Sequence, residues 1–528
     1  MKPMQDDTRT VPSDKTAGVD PAKNLLVVAR GAGISFFGGF VGQGVSFLSA
    51  LVIARILGVH DYGLYALGVT VVTTVAALFG LGLATSCQRF VAVYRGESDL
   101  PRTKGAIVFS LGLLAVTGSL ATVLFFIVSP FVAAGIFGRP ELTSVLQVLA
   151  LAMPFLSLTE ALLAITVAFG TTKYAVLIEN IFKPCFKLTL IGILALLGFR
   201  LGGVLAAYLV VSVAGFGFGA YYLNSVFPFA KSRTGAIYQP RALFAFGMPV
   251  FGSTILATLQ GQKNVYLLGF LGTTEDIGIY NLAALAAGLI PAGLVALNSI
   301  FAPIISDLHN RRRFGELQQL FQSNTRWSLA TGLPVFLSFA LYGGPILSIF
   351  GPAFVTGAPT LLLLGLGQLV NAATGPVGYM VLMSGRSDVN LANELGTLVV
   401  GLALGFLLIP AMGLIGAALA ATGTQALVNA IRLWEARSLL GMWPYGKGIW
   451  KPLAAGLAAS GFSFLFSRYA LPAEGFWAGA ANIVVLVGIY AGCLWLLKPE
   501  PEDLRVAEAV KRRVTAAWPY RQMPKETN

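Results

Sequence analysis

Long apolar runs, separated by short polar connections, follow one another along almost the whole chain. Their apolar character is continuous instead of alternating, which is typical of membrane-spanning helices and not of barrel strands. The pattern predicts an all-α polytopic membrane protein with fourteen transmembrane helices. The expected spans are 31–56, 62–86, 105–129, 142–169, 174–197, 201–226, 242–270, 277–303, 327–350, 357–384, 389–410, 414–436, 450–469 and 475–497.

The composition agrees with a membrane location. Of 528 residues, 56% are hydrophobic and only 11% are charged, whereas soluble domains carry about 25% charged residues. The first 29 residues are polar and lack a signal-peptide apolar core, so we retain the first run as a spanning helix. Cys87, Cys185 and Cys493 are far apart and have neither metal-ligand nor disulfide spacing.

The distribution of basic residues indicates the orientation. Most of the 36 Lys and Arg residues fall in the two tails and in every second connection, and only Arg55, Arg139, Arg200 and Arg468 fall on the opposite side. The positive-inside rule therefore predicts that both termini are cytoplasmic. Topology and anionic lipids account for the net charge of +13, so we expect no nucleic-acid partner.

The chain contains the same connector twice. LGVHDYGLYAL (Leu57–Leu67) joins runs 1 and 2, and LGTTEDIGIYNL (Leu271–Leu282) joins runs 7 and 8. Six runs separate the copies, so both point the same way through the membrane, and a parallel repeat of two six-helix lobes is predicted. The alternative is that Gly-x-Tyr is a generic helix start with an interfacial tyrosine.

This repeat divides the chain into expected units. They are a cytoplasmic tail at 1–29, an N-lobe at 30–230, a C-lobe at 240–438, two further helices at 450–497 and a cytoplasmic tail at 498–528.

The order of elements resembles the polysaccharide-transporter branch of the multidrug/oligosaccharidyl-lipid/polysaccharide exporter superfamily. The segment ARILGVHDYGLYAL and the pattern LIP-x-x-G-x-x-G-A-A at Leu408–Ala418 carry the resemblance, which covers about residues 30–497. It implies an inner-membrane flippase for polyprenyl-diphosphate-linked sugars of O-antigen, capsule or exopolysaccharide. The implied partners are this lipid-linked oligosaccharide, membrane lipids and glycan-assembly proteins such as a polymerase. No cofactor is implied, and coupling to a proton or sodium gradient is left open.

The fifth run has the most charged side chains of any run. Glu179, Lys183 and Lys187 are spaced by four and share one helix face, and Pro184 is expected to kink the helix near mid-depth. Ionisable groups in lipid are costly and usually face a cavity or a partner. Two lysines facing a cavity would suit a diphosphate. The alternative is that Glu179 pairs with Lys183 while Lys187 extends to the interface.

Other polar residues inside the runs are weaker candidates for the substrate cavity. Arg55 and Lys263 lie near the outer ends of runs 1 and 7, and either line the mouth of a cavity between the lobes or are interfacial cations. Gln43, Gln368 and Asn371 lie near mid-depth, and either bind sugar hydroxyls or join helices by hydrogen bonds. In relatives the position of Lys263 is often acidic, which weakens an ion-coupling role for run 7.

Three carboxylates are candidates for ion coupling. Glu160, Glu179 and Glu394 lie within runs, and each either binds a coupling ion or forms a local ion pair. His60 and His309 are the only histidines, and no catalytic constellation is visible, so we expect no enzyme. The rival functions are a lipid II flippase, an ion-coupled drug antiporter and a glycan polymerase, the last disfavoured by the short external connections.

Overall fold

The computed structural model describes residues 21–227, 235–472, 475–501, 503–505 and 508, and these residues form helices without a β-strand. The predicted tails at 1–29 and 498–528 lie largely outside the described residues, as does the predicted end of the N-lobe at 228–230.

We call residues 21–227 the first half and residues 240–440 the second half. The helices of the first half are α1 (Pro21–Gly80), α2 (Leu83–Gly96), α3 (Leu100–Pro130, continued by a π-helical turn at Phe131–Ile136), α4 (Leu142–Ala150), α5 (Met153–Ala168), α6 (Lys173–Val176, followed by a π-helical turn at Leu177–Phe182), α7 (Lys183–Leu196) and α8 (Leu201–Val226). The helices of the second half are α9 (Pro240–Leu271), α10 (Thr274–Ala287), α11 (Ala292–Asn310), α12 (Phe314–Ser348), α13 (Ala358–Thr374), α14 (Val377–Met383) and α15 (Ser387–Leu440). Short 3₁₀ turns at Pro352–Gly357 and Lys447–Ile449 precede α13 and the last two helices, α16 (Trp450–Tyr469) and α17 (Phe476–Leu496).

The count of fourteen spans stays a prediction. Within the described ranges, nine helices are long and apolar enough to cross a membrane, or eleven when the bent pairs α4–α5 and α10–α11 each count as one span. Two of these elements contain two predicted runs each, because α1 consists of two helices that meet at a kink at Gly58 and α15 of two that meet at a kink at Gly413. Both glycines have positive φ angles, 74° and 54°, which other residues adopt at a cost. The fifth run is helical over residues 173–196 and contains the π-helical turn at Leu177–Phe182.

The connection between the predicted spans 62–86 and 105–129 is mostly helical. Residues 83–96 form α2, in which the buried residues Leu83, Cys87, Val91 and Tyr94 recur every three or four positions. This spacing gives the helix one apolar face that packs while its basic face remains exposed. The following helix, α3, begins directly after Asp99, whose side chain accepts a hydrogen bond from the backbone of its first turn.

The two halves share one hydrophobic core at one end of the bundle. We call this the connector end, because it holds the turns at Gly58 and Gly272. Its buried residues include Leu67 and Phe137 of the first half and Leu268 of the second half. At the opposite end, which we call the tail end, each half has a core of its own, around Cys87 in the first half and around Phe301 in the second.

One helix links the halves at the tail end as well. The segment that begins α9 packs against α2 and α3, where Ile237 donates a backbone hydrogen bond of 3.0 Å to Pro101. The guanidinium of Arg89 lies 4.2 Å from the ring centre of Phe246, a cation–π contact. The remainder of α9 then crosses to pack against α15. The fold is therefore joined along the connector end and along α9.

Candidate functional site

The charged residues of the fifth run line a cavity in the first half. A space of about 410 Å³ is bordered by Glu160, Glu179 and Lys183, and an adjoining space of about 210 Å³ is bordered by Glu179, Lys183 and Lys187. We call the two together the first-half cavity. The structure therefore brings together four of the residues that the sequence singled out, and α5, α7 and the π-helical turn position them.

Local chain chemistry explains the shape of this segment. Pro184 lacks a backbone N–H, and its ring displaces the carbonyl four residues earlier, which favours the wider π-helical turn that ends at Phe182. Nζ of Lys183 lies 2.5 Å from Oε1 of Glu179, so these two residues form an ion pair. Gly215 of α8 leaves room for the lysine stem, because a Cβ at that position would lie 2.5 Å from Cε of Lys183.

Lys187 differs from Lys183 in having no ion-pair or hydrogen-bond partner among the described residues. It is half-buried and shares its part of the cavity with Ser46, Tyr208 and Ser212, which carry hydroxyl groups. An unpaired ammonium group on an apolar helix is costly unless water or an anion compensates it. The first-half cavity thus contains the Glu179–Lys183 ion pair, the carboxylate of Glu160 in its larger part, and in its smaller part Lys187, which has no partner among the described residues and lies beside neutral hydroxyl groups.

The second half contains two further polar cavities. The first, which we call the Lys263 cavity, has a volume of about 260 Å³ and is lined by Lys263 and Gln368, together with Gln262, Tyr280 and Gln425. The structure thereby brings together Lys263 and Gln368, both of which were predicted to line the substrate cavity.

The other, which we call the Asn371 cavity, has a volume of about 360 Å³ and is lined by Asn371, Glu394 and Arg432. The carboxylate of Glu394 lies 2.8 Å from Arg432 and also accepts a hydrogen bond of 2.7 Å from Gln260 of α9. Glu394 is therefore held in a local ion pair. Arg432 is not among the predicted site residues, and its position one turn inside the predicted run 414–436 is the sequence signal that identifies it.

Two predicted site residues line none of these cavities. Gln43 is exposed on α1. Arg55 donates a hydrogen bond of 2.5 Å from Nε to the backbone carbonyl of Ile349, at the end of the second half's α12. Arg55 thus bridges the two halves at the connector end, and its side chain remains exposed.

The two copies of the connector pack against each other. A Cβ added at Gly278 would lie 2.6 Å from the carbonyl oxygen of Val59, and one added at Gly63 would overlap the carbonyl oxygen of Thr274. These two glycines occupy equivalent positions in the two copies, and only a residue without a side chain permits such a close approach. The repetition therefore supplies both sides of one contact, which we call the seam.

Polar side chains reinforce the seam. Tyr62 donates a hydrogen bond of 3.1 Å to Asn281, and Nδ1 of His60 lies 2.9 Å from a carboxylate oxygen of Glu275.

Arg139, which is only 8% exposed, makes the largest set of contacts across the seam. Its guanidinium donates to the Thr274 hydroxyl at 2.9 Å, to the carbonyl of Gly272 at 2.7 Å and to the carbonyl of Gly269. Sequence reasoning missed this role, because Arg139 stood out only as a basic residue on the side with few of them.

Comparison with known proteins identifies relatives of this chain. A family model described as polysaccharide biosynthesis protein matches residues 28–309, more than half of the chain. Teichuronic acid biosynthesis protein TuaB of Bacillus subtilis is 23% identical over 381 residues, which are 68% of this chain and 74% of that protein. Succinoglycan biosynthesis transport protein ExoT of Rhizobium meliloti is 26% identical over 372 residues, covering 66% and 67%. A solved structure of the lipid II flippase MurJ, in an inward closed conformation, superposes with a TM-score of 0.63 at 13% identity, covering 87% of this chain and 98% of that one.

Proposed function

The chain belongs to the polysaccharide biosynthesis protein family, and from this premise we propose that it is a flippase for a polyprenyl-diphosphate-linked oligosaccharide. The transported unit is one of an O-antigen, a capsule or an exopolysaccharide. The names of TuaB and ExoT, which refer to teichuronic acid biosynthesis and succinoglycan transport, support this substrate class. The protein carries out no catalysis in this proposal, and it needs no cofactor.

The proposed topology has fourteen spans. α1 and α15 each supply two spans, the bent pairs α4–α5 and α10–α11 supply one each, and α6–α7 supplies the fifth. The two halves are parallel six-helix lobes, and α16 and α17 follow them. The basic residues support cytoplasmic termini in the inner membrane, with the connector end outside.

In this orientation the structure corresponds to a state closed to the outside. The shared core and the seam seal the connector end, whereas each half has its own core toward the cytoplasm. Alternating access requires a second state, in which the seam opens and the tail end closes. The charged headgroup would cross between the halves in water while its lipid tail remains in the bilayer.

The observation that best supports an anionic headgroup is Lys187 in the first-half cavity, which has no partner among the residues that the structure describes. We propose that Lys187 binds the diphosphate, assisted by Lys183. Lys183 is already paired with Glu179, so it contributes less net charge. The attraction between the lysine and a phosphate is strong inside a cavity of low dielectric constant, and a carboxylate there would repel it.

Substitutions at Lys187 test this proposal. Lys187→Arg should retain part of the transport, Lys187→Gln should lose it, and Lys187→Glu should transport less than Lys187→Gln because it also repels the phosphate. The readout is surface display of the glycan in a strain that lacks its own flippase, normalised to protein in the membrane. Lys173→Gln is the matched control, since Lys173 is exposed and begins α6, directly before the same predicted span. Wild-type display by Lys187→Glu would contradict the diphosphate site.

A lipid II flippase is the second candidate, because the MurJ fold covers 87% of this chain. Both candidates predict an anionic diphosphate headgroup, so Lys187 does not separate them. Complementation of mutant strains separates the two candidates. Rescue of a strain depleted of its lipid II flippase would favour the second candidate, and rescue only of glycan-export mutants would favour the first.

A further inference from the structure

We propose that the Asn371 cavity of the second half binds the uncharged sugar portion of the transported lipid, separately from the cations of the first half. This inference rests on the proposed function and adds the part of the substrate that each half would recognise. Its ligand class is a neutral sugar with free hydroxyl groups.

The cavity contains a buried acceptor that lacks a donor. Asn298 of α11 is 7% exposed and lines the cavity, and its Oδ1 has no hydrogen-bond partner among the described residues. Asn429, which lines the same cavity and is 1% exposed, accepts from Thr374 at 2.9 Å and donates to the Gln425 carbonyl at 2.9 Å. Because buried polar atoms are nearly always paired, the Asn298 oxygen is suited to a donor from a ligand, since the described residues supply none.

The same cavity contains a buried donor that lacks an acceptor. One terminal nitrogen of Arg432 pairs with Glu394 at 2.8 Å, but its Nε is buried without a partner among the described residues. A sugar hydroxyl both donates and accepts hydrogen bonds, so hydroxyl groups are suited to both the Asn298 oxygen and the Arg432 nitrogen. Asn371, Asn390 and Tyr379 line the cavity with further amide and phenol groups.

The charges of this cavity favour a neutral ligand. Glu394 and Arg432 are the charged residues that line it, and they pair with each other. An anionic group would be repelled by Glu394 and a cationic group by Arg432. The first-half cavity differs, because Glu179 there is paired with Lys183, while Lys187 has no ion-pair partner among the described residues. The two cavities therefore suit the two chemically different parts of one glycolipid headgroup.

Two substitutions test the inference on the full chain in nanodiscs. Asn298→Leu removes the free acceptor at similar volume. Gly378→Ala is a milder change in helix α14, because its new methyl group would lie 3.7 Å from Nε of Arg432 in ordinary contact and cover that donor. The probe is the oligosaccharide released from the host's lipid-linked pool by mild acid and freed of phosphate. Saturation-transfer NMR titration should show about three- to tenfold weaker binding for each variant, the loss expected for one hydrogen bond.

Controls separate this inference from the proposed function. Asn324→Leu removes another buried asparagine with an unpartnered amide atom, outside this cavity, and should bind the oligosaccharide like wild type. Sugar-free polyprenyl diphosphate should bind Asn298→Leu like wild type and should bind Lys187→Gln weakly. Wild-type oligosaccharide binding by both Asn298→Leu and Gly378→Ala would overturn the inference alone. Failure of the wild-type chain to bind either probe would overturn the proposed function and the inference together.

Discussion

Replacing Arg139 by methionine should open the seam at the connector end. Methionine is similar in length and keeps apolar packing, but it removes every hydrogen bond that Arg139 donates to Gly269, Gly272 and Thr274 of the second half. All of these bonds connect the two halves, so their loss destabilises the closed state more than an open state in which they are already broken.

The size of the effect follows from the number and kind of bonds. A hydrogen bond from a charged donor contributes about 1.5–3 kcal/mol net. Three such bonds set an upper limit, and water at the membrane surface replaces part of the loss after opening. We therefore expect about 2–4 kcal/mol, which shifts the ratio of closed to open molecules by roughly 30- to 800-fold.

Pulsed electron paramagnetic resonance measures this shift directly. Spin labels at Arg200 and Met412 occupy exposed turns of the first and second halves at the connector end, after Cys87, Cys185 and Cys493 are replaced. Arg139→Met should add a population of molecules in which the two spin labels are farther apart than in the wild type.

The matched control is Arg468→Met, which removes an exposed arginine from the same end on α16, outside both halves. It should leave the distance distribution unchanged. An unchanged distribution in Arg139→Met would refute the assignment of Arg139 as the main bond across the seam.

Three further predictions concern topology and the C-terminal segment. A cysteine at His60 should react with an impermeant maleimide in intact spheroplasts, and protection there would refute an external connector end. Asp503→Ala should destabilise the protein by about 3–5 kcal/mol, measured by thermal unfolding in detergent, because it leaves the buried Arg326 unpaired. An equally large loss in the Arg326→Met/Asp503→Leu double variant would contradict this cause. The hydrogen bond from Lys451 holds the pKa of Glu500 below its usual value of 4.5; this pair therefore stabilises fully above about pH 4.5 and is lost as the pH falls through the lower folded pKa. Glu500→Gln should therefore lose less stability than the wild type as the pH falls through that acid range. An identical dependence of unfolding on pH in the variant and the wild type would contradict a stabilising role of the pair.

The local chain determined the helices and much of the first-half cavity. Continuous apolar runs predict helices because a backbone in lipid must satisfy its own hydrogen bonds. Glu179, Lys183 and Lys187 were found by their spacing of four, since that spacing is sufficient to place them on one face of a helix. The structure contains the pair between Glu179 and Lys183 from one of the two alternatives, and it places Lys187 at a cavity, as in the other.

Other features depend on residues that are distant along the chain. Arg55 bonds to a carbonyl 294 residues away, and Arg139 bonds to Gly272 from 133 residues away. No periodicity identifies such partners, because the packing of the helices decides which side chains meet. Asn298 and Arg432 likewise share a cavity only because α11 and α15 face each other across it.

The arrangement of the spanning helices depends partly on the local sequence and partly on the tertiary structure. The sequence determined where the apolar runs are, but only the structure decided that the two helices within α1 and the two within α15 meet directly at the non-helical backbone of Gly58 and Gly413, without a loop between them. The repeated connector is a similar case. Its copies are visible in the sequence, whereas the contact of Gly63 and Gly278 with the opposite copy exists only after the two halves pack. Hydropathy describes each segment by itself. A close approach between two backbones arises only when the segments pack against each other in the folded protein.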